Sequence, residues 1–250
     1  MRTLNTKTVT DKTASQAICQ FGLERKLDSW KRPKKIYKEL QQLTRERSQV
    51  VDERVIVKNQ LHAEKTEAEP NKSSLKRLKS RIKFLSNQEK EIKLEIQMIV
   101  NSDANLKKEV KNICTIPGVG ILTAVIVLAE TNGFELVRNK KQLTSYAGLD
   151  VRQKQSGTSV NKKARISKQG NRNLRKSLHL PSLSAVKYNK EHKELYARLV
   201  AKSGIKMKGL IAVQRKLLEL IYVIYKNQKG FIQNYKQQKR ATPLEIETAL

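Results

Sequence analysis

The sequence has few of the residues that build disulfide, metal and membrane-spanning structures. It contains two cysteines and three histidines in 250 residues, and Cys19 and Cys114 are too far apart for the ligand spacing of a zinc site. This excludes a disulfide framework and fits a reducing cytosol. No segment approaches the roughly 20 apolar residues of a membrane span, and the first residues lack an apolar signal core. We therefore expect a cytoplasmic protein with no membrane partner.

Acidic residues are also scarce. Lys and Arg number 52 against 23 Asp and Glu, which gives a formal net charge of +29. A surface this positive repels itself unless a polyanion neutralises it, and nucleic acid is the usual polyanion. A charge that serves only solubility and an anionic membrane surface are the alternatives. The concentration of the charge in one segment disfavours the first, and the absence of a lipid anchor disfavours the second.

Two long apolar repeats predict a helical hairpin, part of a mainly α fold. Apolar residues recur at alternating steps of four and three over residues 33–66 and again over 75–101, the period of a coiled-coil seam. Arg47, Arg54 and Glu89 interrupt the two seams. Pro70 ends the first helix, and Ser73 or Ser74 would cap the second. The seam would pack inside an antiparallel hairpin or pair with a second copy of the chain.

A glycine-containing turn between two apolar segments indicates a helix-hairpin-helix. Pro117-Gly118-Val119-Gly120 separates a helix ending near Ile113 from another ending near Glu130. The glycines allow a tight turn close to a phosphate, and the free N–H groups of the second helix would face the anion. Gly118, Gly120 and Thr123 are therefore candidate contacts to a nucleic-acid backbone. An ordinary tight turn between packed helices is the alternative.

Residues 151–190 contain no Asp or Glu. We expect a polar loop over 153–159, a strand or hairpin arm over 160–166, and a helix that Asn171 caps and Pro181 kinks. The compact helical domain would thus carry a basic loop or a short β-hairpin. This one-sign segment is the predicted nucleic-acid contact, and its candidate residues are Arg152, Lys154, Lys162, Lys163, Arg165, Lys168, Arg172 and Arg175.

Ser156 lies inside the basic segment. No His–Asp pair is recognisable that would activate it as in a hydrolase triad. Neighbouring cations can stabilise the negative charge that develops when a phosphodiester is attacked. The composition therefore permits nucleophilic phosphoryl transfer by Ser156 but does not establish it.

Ordered sequence blocks add a family resemblance. These blocks are Ile116-Pro117-Gly118-Val119-Gly120, Tyr146-Ala147-Gly148-Leu149, Gln155-Ser156-Gly157, Ile166-Ser167-Lys168-Gln169-Gly170-Asn171 and Lys216-Leu217-Leu218. In this order, over about residues 113–228, the chain resembles the C-terminal domain of transposases of the insertion-sequence 110/116/902 family. Leu43-Thr44-Arg45-Glu46-Arg47 resembles the segment that links the two catalytic domains of that family.

The resemblance implies a bacterial DNA transposase. Members join a RuvC-like domain with four metal-binding acids to a C-terminal domain with a nucleophilic serine, which Ser156 matches. A coiled coil connects the domains and supports homo-oligomers. The implied cofactor is magnesium (Mg2+). The implied partners are DNA at the element ends and target, and a structured guide RNA.

The chain departs from the family pattern in its acidic site. Thr10-Asp11-Lys12-Thr13-Ala14 corresponds to a block with two acids, of which Asp11 is retained and Ala14 replaces the last. The other two acids would lie before Met1, and Asp11 alone cannot hold two metals. We therefore expect a truncated transposase, catalytically defective alone. The alternatives are a non-catalytic regulator derived from a transposase and an unrelated helix-hairpin-helix protein.

These features divide the chain into four predicted segments. Residues 1–30 would be a remnant of the RuvC-like domain with its linker, and 31–102 the coiled-coil hairpin. Residues 103–233 would form the C-terminal transposase domain, and 234–250 a disordered tail.

Overall fold

The computed structural model describes residues 10–25, 32–156 and 160–232, with the backbone alone at 153–156 and 160–164. The chain divides into two units, Met1–Pro33 and Lys34–Leu250. The described residues form nine helices and one two-stranded sheet, which confirms the mainly α class. No helix in these ranges is long and apolar enough to cross a membrane. The predicted tail lies outside the described residues.

The first unit contains one described helix, α1 (Asp11–Glu24). Thr10 caps it in a reciprocal arrangement with Thr13, because each side chain accepts a hydrogen bond from the other residue's backbone N–H. None of its residues is buried, and Leu23 is 84% exposed. Asp11 lies in the exposed first turn.

The predicted helical hairpin is confirmed by α2 (Lys35–Thr66) and α3 (Lys72–Ser102), which pack along each other. The predicted cap of the second helix is wrong. Asn71 is the N-cap, since its side chain accepts hydrogen bonds from the backbone N–H groups of Ser73 and Ser74 at 3.0 and 3.1 Å. Asn71 caps the start of α3 because its short side-chain amide oxygen can accept hydrogen bonds from two backbone N–H groups that have no partner inside the helix.

The residues that interrupt the two apolar seams pair with one another. The buried carboxylate of Glu89 contacts Arg47 at 2.6 Å, Arg54 at 2.5 Å and Lys93 at 2.8 Å. Burial raises the pKa of Glu89, but the hydrogen bonds from these cations outweigh it and lower the pKa to about 2. Because Glu89 of α3 contacts Arg47 and Arg54 of α2, this layer fixes the register of the helical hairpin.

Replacing Glu89 with alanine should lower the free energy of unfolding by about 3 kcal/mol, because two half-buried guanidinium groups lose their counter-charge. Urea denaturation measures this. The control Glu53→Ala removes an exposed pair with Arg81 at 3.8 Å and should cost less than about 1 kcal/mol. Equal losses in the two variants would contradict the role of the Glu89 layer.

The same contribution depends on pH in a defined direction. The folded pKa of Glu89, about 2, lies below its ordinary value. Its stabilisation is therefore complete above the unfolded pKa of about 4.3 and is lost as the pH falls towards 2. The stability difference between the wild-type chain and Glu89→Ala should shrink over that interval.

The remaining six helices pack on one another, and five of them share one core with the base of the helical hairpin. They are α4 (Ala104–Cys114), α5 (Ile121–Thr131), α6 (Lys140–Tyr146), α7 (Arg172–Tyr188), α8 (Lys190–Ser203) and α9 (Lys206–Asn227). The apolar helix α5 packs against α2, α4 and α7, and Leu40 of α2 is buried in the same core as Leu128. Helix α7 is continuous through Pro181.

The basic segment contains an antiparallel hairpin of β1 (Val151–Ser156) and β2 (Val160–Ile166). This resolves the predicted alternatives in favour of a β-hairpin. The predicted loop over 153–159 is wrong at its start, because the strand continues to Ser156. Pairing with β2 satisfies the backbone N–H and C=O groups of this segment. The polar sequence of residues 153–156 alone does not indicate that pairing.

Candidate nucleic-acid interface

The β-hairpin places like charges opposite each other. Arg152 is paired with Arg165, and Lys154 with Lys162, while the chain between them bulges. Arg152 and Arg165 are exposed. Directly opposed like charges destabilise a strand pair by up to about 1 kcal/mol. A polyanion that binds across the ladder would remove this repulsion.

The base of the hairpin is a close contact between two of the ordered sequence blocks. The N–H of Asn171 donates to the carbonyl of Tyr146 at 2.7 Å, and the N–H of Lys168 donates to the carbonyl of Gly148 at 3.1 Å. Gly170, at φ 149°, lies so near the carbonyl of Tyr146 that a Cβ atom would collide with it. Glycine is therefore required where the two backbones cross.

A further contact joins the residues that directly precede and follow the β-hairpin. Ser167 donates its hydroxyl to Asp150 Oδ1 at 2.5 Å and its N–H to the carbonyl of Asp150 at 2.9 Å. The strands therefore project from a rigid base.

Behind this base, the carboxylate of Glu130 joins α2, α5 and the start of α7. Arg45 donates to both of its oxygens, at 2.9 and 2.8 Å. Asn171 and Asn173 donate at 2.7 and 2.8 Å, and Gln41 donates at 3.2 Å. The side chain is 1% exposed, so this network satisfies a charge that is fully removed from water.

Hydrogen bonds decide the protonation of Glu130. Burial raises the pKa of the carboxyl, but the bonds that it accepts outweigh burial and leave the pKa below its ordinary value. The carboxylate is therefore ionised and holds Asn171, whose Oδ1 accepts from the N–H groups of Asn173 and Leu174 and caps α7. Glu130 belongs to no sequence motif and was not among the predicted site residues. Its signal was a single charged residue in an otherwise uncharged helix.

The glycine turn lies between α4 and α5, as predicted, and its two glycines differ. Gly118 has φ 90° and packs on α7, where a Cβ atom would lie 2.8 Å from the Cβ of Ser184. Gly120 precedes α5 with nothing within 4 Å of its Cβ position, and no side chain caps that helix. Gly118 therefore serves packing, and Gly120 leaves the first N–H groups of α5 open to an anion.

Comparison with known proteins relates part of the chain to a described family. Residues 110–197 match the family model described as the transposase IS116/IS110/IS902 family. Together with the relatives below, this match supports an IS110-family transposase. The matched segment extends from α4 into α8 and includes the glycine turn, the β-hairpin and Asn171.

Three curated relatives are similar to this chain. The pilin gene-inverting protein of Moraxella bovis is 26% identical over 233 residues, which are 92% of this chain and 70% of the relative. The pilin gene-inverting protein of Moraxella lacunata is 26% identical over 236 residues, with the same coverage of 92% and 70%. The insertion element IS110 uncharacterized 43.6 kDa protein of Streptomyces coelicolor is 25% identical over 113 residues, 45% of this chain and 28% of the relative.

The structure distinguishes the candidate nucleic-acid contacts by their surroundings. Arg172 and Lys168 are exposed and stay candidate contacts, as does half-buried Thr123. Arg175 donates to the carbonyl of Ala147 at 2.7 Å, which gives it a structural role beside the predicted one. Lys154, Lys162 and Lys163 lie in the strands, and their side chains are outside the described atoms.

The two candidate catalytic residues are not brought into a described site. Ser156 is the last residue of β1, and its side chain is outside the described atoms. Within the described ranges, no group of three or more His, Cys, Asp and Glu side chains could hold a metal ion. Asp11, with Ala14 one turn later, therefore does not fit the magnesium that the family implies.

Replacing Glu130 with glutamine should lower the free energy of unfolding by about 3 kcal/mol, because the added amide N–H group faces donors and Arg45 loses its counter-charge. Chemical denaturation measures the loss, and amide exchange should accelerate at Asn171–Leu174. The control Glu135→Gln removes the charge of an exposed pair with Lys34 at 3.4 Å and keeps an amide oxygen that can accept the hydrogen bond from Asn132, so it should cost less than about 1 kcal/mol. An unchanged stability of Glu130→Gln would refute the importance of this network.

The two glycines can be tested against each other. Gly118→Ala should lower the unfolding free energy by about 2 kcal/mol, because of its positive φ and the clash with Ser184. Gly120→Ala, at φ −95°, should leave stability within about 0.5 kcal/mol of the wild type. Thermal unfolding of both variants checks this, and a Gly118→Ala variant as stable as Gly120→Ala would contradict the packing role.

Proposed function

We propose that this transposase binds DNA through its basic β-hairpin and that this binding is its part in DNA transposition or recombination. The register that opposes Arg152 to Arg165 and Lys154 to Lys162 carries the proposal. Such a ladder lowers its own stability unless an anion occupies it, and contacts of this kind bind phosphates without reading bases. The open start of α5 beside Gly120 supplies a second backbone contact, as a helix-hairpin-helix does.

The names of the two Moraxella relatives support a DNA substrate, since both are pilin gene-inverting proteins. The inversion of a gene cuts and rejoins DNA. We infer that the chain acts on the same class of substrate, with element ends and target DNA as the partners that the family implies.

Ser156 is the proposed nucleophile. It is paired with Val160 at the loop end of the hairpin, on the strand that carries Arg152 and Lys154. Attack by its hydroxyl on a phosphodiester would form a phosphoserine bond and release the other DNA end as a hydroxyl. Cations close to that position would stabilise the charge that develops on the phosphoryl oxygens.

We propose that the chain alone does not complete this reaction. Ala14 offers no oxygen where the family pattern has an acid, so Asp11 has no neighbouring carboxylate one turn away to share a magnesium ion. This departure favours the second candidate function, a non-catalytic regulator that occupies the nucleic acid of the element. A structured guide RNA would be held by the same cations.

A homo-oligomer would use the outer face of the helical hairpin. The apolar seam is already buried between α2 and α3, because Val57 and Leu85 are 1% and 4% exposed. Phe84, Leu94 and Met98 of α3 are 61%, 61% and 64% exposed. A second copy of the chain that packs on these residues is therefore part of the proposal.

The decisive experiment titrates the purified chain with DNA carrying the ends of the element at several salt concentrations. Arg152→Ala combined with Arg165→Ala should lower the salt slope of log K by about 2, because two phosphate contacts are lost. The matched control is Arg77→Ala with Arg81→Ala on α3. It removes the same charge at a place outside the β-hairpin. Equal slopes for the two double variants would overturn the proposed interface.

A cleavage assay with magnesium in the same samples separates the two candidate functions. We expect salt-dependent binding and no cleavage from the chain alone. Magnesium-dependent cleavage that Ser156→Ala abolishes would show that other residues replace the missing acids of the metal site. That result would refute the proposed role as a non-catalytic regulator.

A further inference from the structure

A shallow cavity of about 450 Å³, largely open to solvent, lies at the foot of the β-hairpin, between α6 and the segment that leads from β2 into α7. Its volume is within the range of small-molecule sites. It is lined by Leu136, Gln142, Ser145, Tyr146, Gln169, Gly170 and Asn171.

No residue that lines the cavity is charged, although the chain carries a net charge of +29. A phosphate or a carboxylate would find no counter-ion in it. Leu136, which is 49% exposed, and Tyr146 offer an apolar surface, while Gln142, Ser145 and Gln169 offer amide and hydroxyl groups. An apolar surface beside neutral donors and acceptors fits a flat, uncharged ligand with a polar edge.

The wall of the cavity is fixed by the Glu130 network. Tyr146 donates its hydroxyl to the carbonyl of Glu130 at 3.0 Å, and Asn171 donates to the Glu130 carboxylate at 2.7 Å. Both groups are therefore committed to the wall. No hydrogen bond of the side chains of Ser145 and Gln169 occurs in the described part of the chain, so these two remain available to a ligand. The side chains of Tyr146 and Asn171, which form the wall, are therefore held in place. The side chains of Ser145 and Gln169, which would recognise a ligand, keep their hydrogen-bonding groups available.

The location of the cavity indicates what would enter it. Strand β2 ends at Ile166, and Gln169 follows three residues later. A nucleic-acid strand whose phosphates lie on Arg165 and exposed Lys168 passes the mouth of the cavity. Its nearest uncharged, flat groups with polar edges are its bases.

We propose that this cavity binds one unpaired nucleobase of the strand that the β-hairpin holds, with the ring against Tyr146 and Leu136 and its edge on Gln169 and Ser145. This inference rests on the proposed binding of nucleic acid. Unstacking a paired base costs a few kcal/mol, so the site favours a base that is already unpaired. It gives the chain a preference for bulged, frayed or single-stranded positions.

The test compares three probes with the full chain: a continuous DNA duplex, the same duplex with one bulged 2-aminopurine, and the same bulge with an abasic nucleotide. We expect about tenfold tighter binding to the base-containing bulge than to the abasic one, the size of one base contact. The fluorescence of 2-aminopurine should fall on binding, because the base stacks on Tyr146. An RNA arm with the same bulge distinguishes an RNA strand from DNA as the source of the base.

Exposed residues supply the variants. Gln169→Ala combined with Leu136→Ala should remove the tenfold preference and the fluorescence change, and it should leave binding to the continuous duplex unaltered. The control Gln97→Ala, at an exposed position of α3, should change neither. Equal binding of the base-containing and abasic bulges by a chain that still binds duplex would overturn the cavity alone. Failure to bind any of the probes would overturn the proposed interface and the cavity with it.

Discussion

The buried carboxylate of Glu130 is the contact on which the described fold of the second unit depends. It lies at the end of α5 and accepts hydrogen bonds from Arg45 and Gln41 of α2 and from Asn171 and Asn173 at the start of α7. A charge removed from water is stable only if such bonds are complete. The requirement therefore orients the helical hairpin, the core helix and the base of the β-hairpin together.

Glu89 uses the same physical means in the helical hairpin. Both acids are buried, both are held ionised by several donors, and each aligns elements that apolar contacts alone would let slide. Apolar seams are periodic and tolerate shifts of register, whereas a buried charge has one favourable partner set. In a chain with 23 acids and 52 basic residues, these two buried carboxylates are neutralised by Arg45, Arg47, Arg54 and Lys93.

In the β-hairpin, by contrast, positively charged residues are paired with each other and no acid neutralises their repulsion in the described part of the chain. Arg152 is paired with Arg165, and the strands persist because Asp150, Ser167 and the crossing at Gly170 hold their ends. A rigid base and a self-repelling ladder suit an element whose partner supplies the missing negative charge. The hydrogen-bonded base and the positively charged strands of the β-hairpin would thus act together in binding a phosphate backbone.

The sequence alone determined the two helices of the helical hairpin, the helices on either side of the glycine turn and the helix that Asn171 caps, since these depend on local periodicity and capping. The polar break near Pro70 was determined in the same way. The sequence also indicated the family through the order of its blocks. Only the tertiary structure decided that residues 153–156 form a strand, that Gly118 packs on Ser184, and that Arg47 and Arg54 meet Glu89. Those outcomes depend on residues distant in the chain. For the same reason Glu130, whose donors lie 41 to 89 positions away, has no local signal beyond its charge.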